Sequence, residues 1–146
     1  MPMALHPWRP LAAVVVPGLM LAACGSSPGA VAEAGSCADI HFPSAPASVF
    51  ANRTENVNGD KLVEFVGDVP SSEIPAFENR SKLTGFTAGV PSSWAAAFWR
   101  GSDSTALLAT PAGNSYVEQN SQVPARWVVV HDLGNGRSRV FVRVVC

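Results

Sequence analysis

The sharpest hydrophobic pattern lies at the C-terminus, where residues 126–133 and 137–146 are both rich in valine and alternate in polarity around Gly134-Asn135-Gly136. An Asn-Gly step between β-branched runs predicts a hairpin, because both central residues of a type I′ turn need positive φ. With Asn135 and Gly136 as that turn, His131 faces Val140, Val129 faces Val142 and Trp127 faces Val144. Alternation then gathers Trp127, Val129, Val140, Val142, Val144 and Cys146 on one apolar face, read as the core side. Asp132, Arg139 and Arg143 share the other, wetter face with Val130 and Phe141.

Residues 61–66 (Lys-Leu-Val-Glu-Phe-Val) read as another strand, entered through the turn Asn56-Val57-Asn58-Gly59-Asp60. Residues 94–100 and 105–110 flank Gly101-Ser102-Asp103-Ser104 and read as a second hairpin. The alternative for 94–100 is a short helix, with Ser92 or Ser93 as N-cap and Gly101 as the stop. Residues 83–90 suggest a short strand, and 49–55 and 74–82 a turn or two of helix each. Stretches 41–46, 69–75 and 111–115 are Pro-rich connections. The expected fold is mainly β: a small antiparallel sheet or sandwich-like domain with one or two short helices, α+β in the broad sense.

The first two dozen residues have a different character. Arg9 is the only firm charge in residues 1–23, and residues 11–23 form an uncharged, mostly apolar run. As a helix this run would reach about 20 Å, short of a ~30 Å hydrocarbon core, which fits a secretory signal better than a membrane span. Its end, Leu21-Ala22-Ala23-Cys24, resembles the lipobox of bacterial lipoprotein precursors. That resemblance implies cleavage before Cys24 and a diacylglyceryl group on its sulfur, and hence a domain anchored by lipid to a cell membrane or outer membrane and exposed outside the cytoplasm. Two or more acyl chains suffice for stable anchoring. Residues 25–35 are small and weakly polar and read as a flexible tether. The division is therefore a signal peptide (1–23), a lipidated cysteine with its tether (24–36) and one β-rich domain (37–146).

With Cys24 given to lipid, Cys37 and Cys146 remain, at the two ends of the domain. In an oxidising compartment they read as a disulfide, the alternative being two separate thiols.

Formal net charge is −1, and losing Arg9 with the signal makes it −2, so nothing argues for a nucleic-acid surface. His41 and His131 lie in no metal-ligand spacing, and no cofactor motif is present. Neither a Gly-x-Ser-x-Gly elbow nor a Ser-x-x-Lys motif occurs. A hydrolase would have to use His41 or His131 with a carboxylate; the plainer reading of His131 is a rim residue held by a backbone group. Trp99 and Phe141 are a candidate binding surface for an envelope protein or glycan if they share an exposed face, and otherwise belong to the core. The function expected is non-enzymatic binding or scaffolding on a membrane anchor, with a small hydrolase or a solute-binding accessory as alternatives.

Overall fold

Runs of consecutive buried residues, rather than alternating ones, dominate the central strands. Val63 to Gly67, Val128 to Val130 and Val140 to Val142 are all buried, so the sheet they build must be covered on both sides. The computed structural model describes residues 28–146; the targeting run and Cys24 lie outside them. The strands are β1 (Ala47–Glu55), β2 (Lys61–Pro70), β3 (Thr87–Ala88), β4 (Asn114–Gln119), β5 (Ala125–Asp132) and β6 (Arg137–Val145). They form one open antiparallel sheet in the order β1-β2-β6-β5-β4-β3. With few and short helices, the fold is mainly β and sandwich-like, as the sequence pattern predicts.

Helices α1 (Pro28–Ala38) and α2 (Ile74–Arg80) cover one face. There Val63, Phe65, Val69, Val128, Val130, Val140, Val142 and Val144 pack against Ala30, Ala34, Ala38, Ile40, Phe77 and Leu83. The other face is covered by residues 91–109, which contain the four-residue helix α3 (Trp94–Ala97) and a 3-10 segment, Asp103–Ala109. Trp94, Trp99 and Leu108 from this cap pack on Val66, Val129 and Phe141 of the sheet.

The C-terminal hairpin forms, but its register differs by one residue from the expected one. His131 pairs with Arg139, Val129 with Phe141 and Trp127 with Arg143. The loop is three residues long: Leu133 N–H donates to the Arg137 carbonyl at 3.0 Å. Gly134 and Gly136 both take positive φ (77° and 75°), and the Asp132 carboxylate accepts from Gly134 N–H at 2.8 Å. Gly134 thus serves as a turn residue too, and the two-residue turn is replaced. A slip of one residue turns every side chain of a strand over. Trp127, Val129 and His131 therefore lie under the cap, and Val128 and Val130 join Val140, Val142 and Val144 on the helix face. The placement of Cys146 beside that helix-face core holds.

Residues 28–36, read as tether, are the greater part of α1. Ala30, Ala34 and Ala38 recur every four residues and are at most 1% exposed. Their small side chains let the helix lie close on the sheet while giving the sequence little apolar signal. The helix ends at Asp39 (φ 57°), where Ile40 N–H reaches the Ala34 carbonyl at 3.2 Å. Glu33 fixes it laterally, meeting Arg53 of β1 at 2.5 Å and Lys61 of β2 at 3.5 Å. The Arg53 hydrogen bond is the main reason the Glu33 carboxyl titrates below its ordinary range. The folded domain thus starts by Pro28 rather than Cys37. Cys37 comes to lie with its Cα 5.9 Å from that of Cys146, a disulfide distance spanning 109 residues of chain.

Three other elements depart from expectation. Residues 49–55 belong to strand β1 rather than a helix, paired along β2. The hairpin expected over 94–110 is absent; the helical alternative holds for 94–97, where three successive alanines favour it. Ser102 starts the 3-10 segment by accepting from Ser104 N–H at 3.2 Å. Strand β4 begins within the stretch 111–115, read as connection.

Candidate functional site

Strand pairing under the cap sets three rows of side chains across the sheet. The first joins Asn52, Glu64, Arg143, Trp127 and Glu118 from β1 to β4. The second is Phe50, Val66, Phe141, Val129 and Tyr116. The third brings Asp68, Arg139, His131 and Asn114 together. Two polar rows thus border an apolar one, and each Arg stands directly across from an acid on the neighbouring central strand, the arrangement that favours cross-strand ion pairs.

In the first row, Arg143 Nη1 donates to Glu64 Oε1 at 2.5 Å, and the same oxygen accepts Trp99 N–H at 2.9 Å. Asn52 Nδ2 reaches Glu64 Oε2 at 3.4 Å. Glu64 is 4% exposed, so these donors substitute for lost water. The Arg143 guanidinium lies 4.2 Å from the Phe98 ring centroid and 5.6 Å from that of Trp127, both within cation–π range. Trp127 Nε1–H donates to Glu118 at 2.8 Å.

Trp99 is held from three sides. Its backbone occupies the left-handed region at φ 52°, which costs a bulky residue about 1–3 kcal/mol. Offsetting this are the bond to Glu64, an indole N–H bond to the Val142 carbonyl at 2.9 Å, and an edge contact with Phe141 at 5.3 Å. In the third row Arg139 grips Asp68 through two bonds of 2.7 and 2.9 Å and reaches Ser104 of the cap at 2.9 Å. The Asp68 bond raises the Arg139 pKa above its ordinary value. His131 Nδ1 bonds Asn114 Oδ1 at 2.9 Å. Burial is the main cause holding its pKa below 6.5, with Arg139 adding to the shift and Asp132 opposing it.

Chemically, this cluster is a latch. Each guanidinium pairs with the carboxylate across from it; Arg139 and Glu64 also hydrogen-bond the cap, and Arg143 meets it through the Phe98 ring, its Nε buried without a hydrogen-bond partner among the described residues. Trp99 and Phe141 are each 0% exposed: Trp99 belongs to the cap and packs on Phe141 of the sheet, so the two form a buried contact rather than a docking surface. His131 meets the side-chain amide of Asn114 rather than a backbone group or an acid.

His41 differs. It is exposed beside a surface cleft of about 400 Å³ lined also by Ser36, Phe42 and Ser44, and its Nε2 lies 2.8 Å from Asp39 Oδ1. Asp39 also binds Lys82 at 2.6 Å, and the Lys82 bond, then the His41 bond, lowers its pKa. The two hydroxyls of the cleft are engaged elsewhere: Ser44 donates to Glu73 at 2.7 Å and Ser36 to the Glu33 carbonyl at 3.2 Å. Asn56-Val57-Asn58-Gly59-Asp60 is a turn whose Asn56 Oδ1 accepts from the N–H groups of Asn58 and Asp60. Among the described residues, no three His, Cys, Asp or Glu side chains are grouped to hold a metal ion.

Set against protein-family models, curated proteins and solved structures, the chain matches none.

If Glu64 and Arg143 act as a latch, Arg143→Met strands a buried carboxylate and should cost about 3–5 kcal/mol of unfolding free energy in urea titration. Adding Glu64→Gln should recover part of that loss. Strictly additive losses would show that the two do not act as a pair.

Proposed function

We propose that this chain is an envelope lipoprotein, processed before Cys24 and held by lipid on that residue, whose β domain binds or scaffolds an envelope protein or glycan without catalysing a reaction. The observation that carries the reading is the position of Leu21-Ala22-Ala23-Cys24, with three residues between Cys24 and Pro28 of helix α1. An anchor joined so directly to a folded domain suits a protein that acts at the membrane surface.

The approach of Cys37 and Cys146 supports the same setting. We take them to be disulfide-bonded, as an exported protein allows. Such a bridge closes a loop of over a hundred residues, for which chain entropy gives about 4 kcal/mol.

A hydrolase reading is served by the 2.8 Å contact of His41 with Asp39. It is weakened by the engagement of Ser36 and Ser44, which leaves the histidine no free hydroxyl in its cleft. The solute-binding alternative needs an apolar cavity between the sheet and its helices; Trp94, Trp99, Leu108 and Phe77 fill those interfaces.

Cys24→Ala should move the protein from the membrane to the soluble fraction, and mild crosslinking of the lipidated form should enrich an envelope component over a lipidated control. Membrane retention of the variant contradicts the anchor, and no enrichment contradicts the binding role. Maleimide should label neither Cys37 nor Cys146 before reduction and both after it; two labelled thiols beforehand contradict the bridge.

A further inference from the structure

Among the described residues, three large apolar side chains stand in solvent: Val57 at 102% of full exposure, Val123 at 76% and Val49 at 44%. Single exposed valines are ordinary on a protein surface. The position of the two most exposed is not. Val57 sits in the β1–β2 turn and Val123 in the β4–β5 loop. Through the pairs Glu55 with Lys61, Leu62 with Val145 and Val145 with Ala125, both loops project from the same end of the sheet.

Helix α1 crosses that same end. Glu33 is tied to Arg53 and Lys61, Cys37 lies beside Cys146, and the Ala38 carbonyl accepts from Arg126 at 3.2 Å. From Cys24 to Pro28 there are four peptide steps, which cover at most about 14 Å. An acyl-bearing cysteine therefore brings this end of the domain to the bilayer and leaves the Gly134-Asn135-Gly136 loop at the far end. Charges here are largely matched: Arg53 and Lys61 meet Glu33, Lys82 meets Asp39, and Asp60 accepts from Asn56 at 2.8 Å. Glu55 adds an exposed acid. With no basic patch to draw anionic lipid, contact at this end would be apolar and indifferent to headgroup charge.

We propose that this end of the sheet is the membrane-facing side of the protein, with Val57 and Val123 entering the headgroup region of the bilayer that holds Cys24. The proposal rests on the lipid anchor proposed above. It commits the far end, with the Gly134 loop, to the outward side where a partner would be met.

The test uses the lipidated protein in phosphatidylcholine vesicles, with Val57→Cys, Val123→Cys or Asn135→Cys carrying a polarity-sensitive fluorophore attached without reductant. Emission should shift to the blue and be quenched by doxyl lipids at 57 and 123, and stay water-like and unquenched at 135. Asn58→Cys and Gln122→Cys, at exposed neighbours, report the same ends if either valine variant fails to fold. Protein that floats with the vesicles while 57 and 123 match 135 overturns the orientation and leaves the anchor standing. Protein that does not float overturns the anchor, and the orientation with it.

Discussion

Strands β2 and β6 bury apolar side chains on both faces, and this constraint organises the rest of the molecule. A strand buried on one side only could leave half its residues in water, but Val63, Phe65, Val140 and Val142 point one way while Val66 and Phe141 point the other. At ~25 cal/mol per Å² of apolar area, neither face is affordable in water. One face recruits the alanine helix α1, Pro28–Ala38. The other recruits a tryptophan-rich segment with almost no regular structure of its own, α3 being a single turn.

Such a cap needs fastening, because a chain without long helices or strands satisfies few of its own backbone groups. Glu64 and Arg139 provide this. Glu64 accepts from the Trp99 N–H, Arg139 donates to the Ser104 hydroxyl oxygen, and each is held by its partner on the adjacent strand. Buried ion pairs add little net stability against an apolar substitute. Their worth here is positional: they fix where Trp99 sits, and the left-handed backbone at that residue is tolerated because the surrounding bonds leave it no alternative. The charged residues that would attract a search for chemistry are thus consumed by architecture.

Much of this was legible in the sequence, and the failures share one physical origin. Residues 61–66 and the valine-rich C-terminal arms declare strands through β-branched content, and Cys37 and Cys146 come together at a disulfide distance. The hairpin register differs from expectation because Val128, Val129 and Val130 suit either face once both are buried, so alternation cannot choose; Gly134, taking positive φ beside Asn135-Gly136, then makes the loop three residues long. Helix α1 was hidden because alanines at four-residue spacing bury little area and look like linker. Trp99 and Phe141 are both buried, the ordinary fate of aromatics in a small β domain. What no local pattern announced was that residues 91–109, Trp99 among them, fold over Phe141 and its neighbours, a contact made across more than thirty residues of chain. The Glu64 to Arg143 and Asp68 to Arg139 pairs are equally non-local, fixed only once β2 and β6 are neighbours.

On the proposed lipid anchor, distance from the membrane would be set by the fold rather than by a long linker. All of this depends on the second face being covered, with Trp127 lying beneath the cap. Nuclear Overhauser contacts of the Trp127 ring test that most directly. Contacts to Phe98, whose ring centroid lies 5.8 Å away, with none to Ala34 or Ala38, are the predicted result. Contacts from Trp127 to α1 or to Val144 would restore the two-residue turn and contradict the two-faced sheet.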